Sequence, residues 1–148
     1  LQASRCERGW VYRMIDGVTE LAPKFRAPFV YGAVLLSVAV DDREGARLIF
    51  DKGVGAFPSD WKILYAAAYH YLYETNDAEK AAHLLAEAGK HGAPQWVYAL
   101  AARLYTKVGR AVLGKSILER ALELAADKES RSALRIKKRL EEINRVLE

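Results

Sequence analysis

Along most of the chain, apolar residues recur at intervals of three and four, the spacing of one face of an α-helix. The strict alternation of a half-buried strand is scarce. The breaks between these stretches are themselves regular. Asp41-Asp42, Asn76-Asp77 and Gly109-Arg110 are turn pairs lying 35 and then 33 residues apart. Asp, Asn and Gly suit such places because they cap helices or accept unusual backbone dihedrals at little cost. Pro58-Ser59-Asp60 is a helix-start signal, as is Pro94 at the next hairpin. The pattern predicts eight helices, over 4–21, 26–40, 43–56, 60–74, 77–90, 95–108, 110–125 and 128–147.

A second regularity runs through the predicted helices. A small residue is followed four positions on by a large apolar one, and three further on by another small one. It reads Ala46-Phe50-Gly53, Ala81-Leu85-Ala88 and Gly114-Leu118-Ala121, with a fainter copy at Val11-Ile15-Val18. Pro23, Pro58 and Pro94 follow the first three copies at nearly fixed distance. A period near 34 residues predicts stacked helical hairpins, each burying its apolar face on the next. Ala46, Ala81 and Gly114 then fall where the second helix of a hairpin approaches the first. A larger side chain there costs roughly 1–3 kcal/mol through overpacking. The last segment places Ala133, Ile136, Leu140, Ile143 and Leu147 on one stripe, with Asp127 as its expected N-cap. Such a helix, polar on its far side, caps a solenoid.

These positions resemble the tetratricopeptide repeat, whose first helix pairs aromatic with small residues and whose second carries Ala-x3-Phe and a closing Pro. Tyr98, Ala101, Ala102 and Tyr105 match the first helix of the third repeat, and Gly109, Gly114, Leu118 and Ala121 its turn and second helix. Trp61, Leu64, Tyr65 and Tyr69 serve the second repeat. In the first, Tyr31-Gly32 sits near its place but out of register. The stretch from Tyr12 to Gly109 is also similar to bacterial repeat proteins that carry a membrane anchor upstream. Because the chain opens on Leu1 rather than Met, a fragment or processed product is expected, and compartment is left open. The resemblance implies an all-α fold: a right-handed α-solenoid of about three helical hairpins. One domain spans 1–148, with a partial repeat helix at 1–22, repeats at 24–58, 59–93 and 94–126, and a capping helix at 127–148.

The resemblance also implies a non-enzymatic scaffold or adaptor whose concave groove holds a partner peptide or protein. Carried over residue by residue, the groove positions are Tyr31, Leu35, Ile63, His70, Tyr73, Trp96, Arg103, Lys107 and Lys137. Aromatic anchors beside Arg and Lys favour an extended or helical peptide with acidic or apolar residues. The positions matching the family's carboxylate clamp are Tyr31, Ala66 and Ala99, which do not support that clamp.

Composition changes this picture little. The chain has 148 residues, 51% hydrophobic and 28% charged, an ordinary globular balance. The longest apolar run, Phe29 to Val40, is too short to cross a bilayer. Cys6 is alone, so no disulfide forms within the chain. The net charge is +4. Residues 128–148 contribute most of it, with seven Lys or Arg against four Glu. Arg131, Arg135, Lys138 and Arg139 lie on one side of the last helix, so nucleic-acid binding there is an alternative. Interleaved Glu141 and Glu142 weaken it. A truncated first hairpin leaves Trp10 and Met14 uncovered, which could drive homodimerisation.

Gly109-Arg110-Ala111-Val112-Leu113-Gly114-Lys115-Ser116 fits the phosphate-loop pattern G-x4-G-K-[ST]. That loop needs a strand before it and a helix after it. Here Tyr98 to Val108 reads as helix, no apolar strand ending in Asp follows, and the repeat independently wants a glycine at 109 and a small residue at 114. The match is therefore disfavoured as a nucleotide site. His70, His83 and His91 lack metal-ligand spacing. Gly53-Val54-Gly55 lacks the third glycine of a dinucleotide turn. Neither catalysis nor a metal nor a cofactor is expected.

Overall fold

The computed structural model describes residues 9–148. Among them there are helices and no strands. Helix α1 is Trp10–Leu21, α2 is Ala33–Val38, α3 is Arg43–Ala56 and α4 is Trp61–Tyr73. Then come α5 at Ala78–Lys90, α6 at Gln95–Lys107, α7 at Ala111–Glu123 and α8 at Arg131–Leu147. A π-helical turn, Pro28–Gly32, runs directly into α2. The expected first helix starts later than the pattern implied: its positions 4–8, with Cys6, lie outside the described residues, and Gly9 is the N-cap.

From α2 onward, each helix packs against the next along the chain, and α1 touches α3 as α6 touches α8. Alternate helices thus form two layers, with α2, α4, α6 and α8 in one and α1, α3, α5 and α7 in the other. The turn pairs do what their chemistry allows. Asp41, Asn76 and Gly109 take the left-handed φ values 55°, 57° and 79°. The residue after each turns the chain into the next helix. Asp42 caps α3 by accepting from the Gly45 amide, and Asp77 caps α5 by accepting from the Lys80 amide. Arg110 has no capping side chain and makes no such bond. Asp60 caps α4. The last helix corrects the sequence reading: Ser130, not Asp127, caps α8 by accepting from the Ala133 amide. Asp127 instead closes the preceding turn, accepting from the Glu129 amide at 2.8 Å.

In the three full copies the small-large-small positions face inward, whereas in the fainter first copy Ile15 is buried and Val18 is exposed. Ala46, Ala81, Ala88, Leu118 and Ala121 are wholly buried, and Phe50 and Leu85 nearly so. One apolar core runs from Tyr12 and Ile15 on α1 to Val97, Ala101 and Leu104 on α6. Tyr98 and Ala102, on another side of α6, join Leu118, Ala121, Ile136 and Ile143 in a second cluster beneath α8. Helix α6 is therefore apolar on two sides, as an internal helix of a stack must be. The basic faces of α8 lie outside this cluster, and the stripe Ala133, Ile136 and Ile143 is its buried side.

Candidate functional site

The face made by α2, α4 and α6 carries most of the exposed aromatic side chains on the even-numbered helices. Tyr65, Tyr69 and Tyr73 succeed one another at helical intervals along α4. The rings of Tyr69 and Tyr73 lie 4.5 Å apart, and Tyr65 meets Trp96 of α6 edge-on at 5.5 Å. Tyr73 and Trp96 are more than half exposed. Single exposed aromatics are ordinary, whereas two ring pairs on one helix face, one of them reaching across to α6, suit a contact surface.

Beside Tyr65 and Tyr69 a pocket of about 240 Å³ opens between α2 and α4. Val34, Ser37 and Val38 line it from α2, and Tyr65, Ala66, Tyr69 and His70 from α4. Phe50 of α3 and Glu74 complete it. Glu74 is held by Arg43 at 3.4 Å. His70 is buried, and burial lowers its pKa against the opposing pull of Glu74, leaving a neutral imidazole. Its ring packs on that of Phe50 at 5.3 Å.

A cleft of about 500 Å³ lies between α6 and α8, lined by Arg103, Thr106 and Lys107 on one side and Arg139, Glu142, Ile143 and Val146 on the other. Arg139 is paired with Glu142 at 2.8 Å. Arg103 and Lys107, four residues apart on one helix face, repel each other. The cleft is cationic over an apolar floor.

The nine expected groove residues are only partly brought together. Arg103 and Lys107 share the cleft, and Tyr73 and Trp96 belong to the aromatic row. Ile63 does not line a groove: it is wholly buried, because α4 turns that side onto α3 beside Gly53. His70 is buried as well and reaches the site only as pocket lining. Tyr31 and Leu35 are exposed, but α2 presents Val34, Ser37 and Val38 to the pocket instead. The π-helical turn at Pro28–Gly32 inserts an extra residue per turn and so rotates the register of α2. That rotation also explains why Tyr31-Gly32 falls out of step with the other repeats. Lys137 is tied to Glu129 at 3.1 Å and does not line the cleft, which takes Arg139 instead. The row at Tyr65, Tyr69 and Tyr73 had a sequence signal, an aromatic every fourth residue.

The phosphate-loop match is a turn and the opening of a helix. Gly109 is the left-handed turn, and residues 111–116 lie inside α7. Gly114 is buried against α6, Ser116 donates to the Leu113 carbonyl at 2.9 Å, and Lys115 lies 3.9 Å from Glu119. The segment before it is α6, a helix rather than a strand. Among the described residues no group of three or more His, Cys, Asp or Glu is placed to hold a metal ion. No helix among them is long and apolar enough to cross a membrane.

No protein-family model and no curated protein sequence matches the chain. Among solved structures it is similar to YrrB, described as a TPR protein with an unusual peptide-binding site. The TM-score is 0.53 at 21% identity, over 80% of this chain and 60% of that one. The fold is a tetratricopeptide-like α-solenoid. Identity that low speaks for the fold and not for the ligand. The solenoid spans about 60% of the neighbour's length.

Proposed function

We propose that this solenoid is a non-enzymatic scaffold or adaptor that holds a partner peptide or protein along the face formed by α2, α4 and α6. One observation carries the reading: Trp96, more than half exposed and edge-on to Tyr65 of α4, stands on the same helix as Arg103 and Lys107, which have no carboxylate partner among the described residues. Large rings supply contact area at low entropic cost, and unpaired cations attract carboxylates. A peptide with apolar or aromatic residues at one end and acidic residues at the other is complementary to that order. The peptide-binding site of the structural neighbour is a property of that protein, and its likeness in fold supports the reading.

The test is affinity capture from the source cell, comparing wild type with Trp96→Ala/Arg103→Ala. The variant should keep its helical circular-dichroism spectrum and lose the captured partners. Recovery of the same partners by the folded variant would overturn the groove.

A second contact is favoured by α1. Trp10, Met14, Val18 and Leu21 are all exposed and share one face of that helix, which has no covering partner among the described residues. We infer a homodimer through this stripe. Sedimentation should show it dissociating on Trp10→Ser/Met14→Ser, and a wild-type monomer at micromolar concentration rules it out. The basic side of α8 supports a third reading, nucleic-acid binding: Arg131, Arg135 and Lys138 are exposed, whereas Arg139 is paired. Absence of affinity for duplex DNA or RNA near physiological salt ends it.

A further inference from the structure

The pocket between α2 and α4 carries a chemical signal beyond being apolar. Two polar side-chain atoms, Ser37 Oγ and His70 Nε2, are buried there without a protein hydrogen-bond partner. Native structures pair nearly all such groups, and the exceptions mark strain or a ligand. His70 is 3% exposed and sits among Phe50, Tyr65 and Tyr69, so the pocket has four rings in its walls.

Three properties narrow the occupant. The rings and Val34 and Val38 favour a flat apolar body, since aromatic pairs gain beyond the area they bury. The charge balance favours a neutral one. Glu74 is the carboxylate at the pocket and is already paired with Arg43, so a buried cation would find no free counter-charge. Ser37 and a neutral imidazole each donate or accept a hydrogen bond, the imidazole according to tautomer. A group that can do both satisfies either arrangement, which favours a phenol over an indole, a donor only.

We propose that this pocket is the specificity pocket of the groove and takes a tyrosine side chain of the bound peptide, its ring between Tyr69 and Phe50 and its hydroxyl reaching Ser37 and His70. The proposal rests on the groove reading above. It adds which residue the partner must carry and where on the solenoid that residue sits.

The probe is p-cresol, the tyrosine side chain alone, compared with toluene and with tetramethylammonium chloride in amide NMR titrations of the whole chain. p-Cresol should shift the signals of Val34, Ser37, Tyr69 and His70 and bind about three- to tenfold more tightly than toluene, the range of one net hydrogen bond. Ser37→Ala and His70→Phe should each shrink that preference. Ser37 is only half-buried, so its variant keeps the test open should His70→Phe unfold. Equal binding of p-cresol and toluene would overturn the proposal. So would preference for tetramethylammonium, or no shift of these signals with either aromatic. Those failures leave the groove itself standing, because it is judged by capture with the Trp96 and Arg103 variants, and neither of those residues lines the α2–α4 pocket. Conversely, p-cresol binding survives a failed capture.

Discussion

Gly114 of α7 lays its bare backbone against the carbonyl of Ala102 on α6: a Cβ added at Gly114 would stand 2.8 Å from that oxygen and 3.0 Å from Thr106 Oγ1. The obstacle is main chain, which cannot swing aside as a side-chain tip does. Gly114→Ala therefore has two opposed effects. Helix propensity gains about 1 kcal/mol, and the forced separation of α6 from α7 loses about 1–3 kcal/mol. The net outcome expected is destabilisation, with Tm falling about 2–4 °C for each kcal/mol lost. Thermal unfolding checks it, and a stabilised variant would show that the two helices are not in contact here.

Asp51 ties three helices together. Tyr71 Oη of α4 donates to it at 2.6 Å, Arg47 of α3 lies 2.9 Å away, and Lys80 of α5 lies at 3.6 Å. The Lys80 ammonium also stands 4.4 Å from the Tyr71 ring centre. Burial raises the Tyr71 pKa, and the Asp51 bond raises it further. Tyr71→Phe should cost about 0.5–1.5 kcal/mol, and Asp51→Ala about 1–3 kcal/mol because it removes the acceptor of the Tyr71 hydroxyl and the carboxylate facing Arg47 and Lys80. In urea unfolding, a double-mutant cycle should return a coupling of at least about 0.5 kcal/mol. Strict additivity of the two changes would mean that the bond does not form in solution.

His70 makes stability depend on pH. Its folded-state pKa lies below the ordinary 6.5 because burial penalises the cation. Glu74 and Asp51 oppose that shift and Arg47 adds to it. The unfolded chain therefore takes up the proton first as pH falls, and stability drops with it. The urea midpoint should be flat above about pH 7.5 and decline as pH falls through 6.5. His70→Phe should flatten that decline. An unchanged slope in the variant would assign the dependence to other groups.

Lys115 offers a direct check on the phosphate-loop match. Lying on a helix beside Glu119, it has no loop of free amides around it. Titration calorimetry with magnesium ATP should give no binding heat, and Lys115→Ala should unfold within about 0.5 kcal/mol of wild type. Measurable ATP affinity that Lys115→Ala weakens would reinstate the nucleotide site.

Much of this architecture was legible because the period is written in small and turn-forming residues. Asp41, Asn76 and Gly109 mark three turns through the left-handed dihedral each adopts, and Ala46, Ala81 and Gly114 mark the tight crossings. Less of the candidate site was legible. The groove positions were assigned by counting along a regular helix, and the π-helical turn at Pro28–Gly32 breaks the count. Val34 and Val38 therefore face the pocket where Tyr31 and Leu35 were expected. Ile63 resembles a surface anchor by spacing alone, and only its packing beside Gly53 makes it core. Ser130 and Asp127 are both good caps, and the choice between them depended on where α8 begins.

By itself, then, the order of residues determined that helices form, where they stop and how often the hairpin repeats, because these depend on dihedral preference and on short-range periodicity. Only the tertiary structure decided which side chains meet across α2 and α4, which cations near α8 are left unpaired, and that Ser37 and His70 share one pocket. Those relationships join residues far apart in the chain, through packing that a one-residue change in helical register redirects.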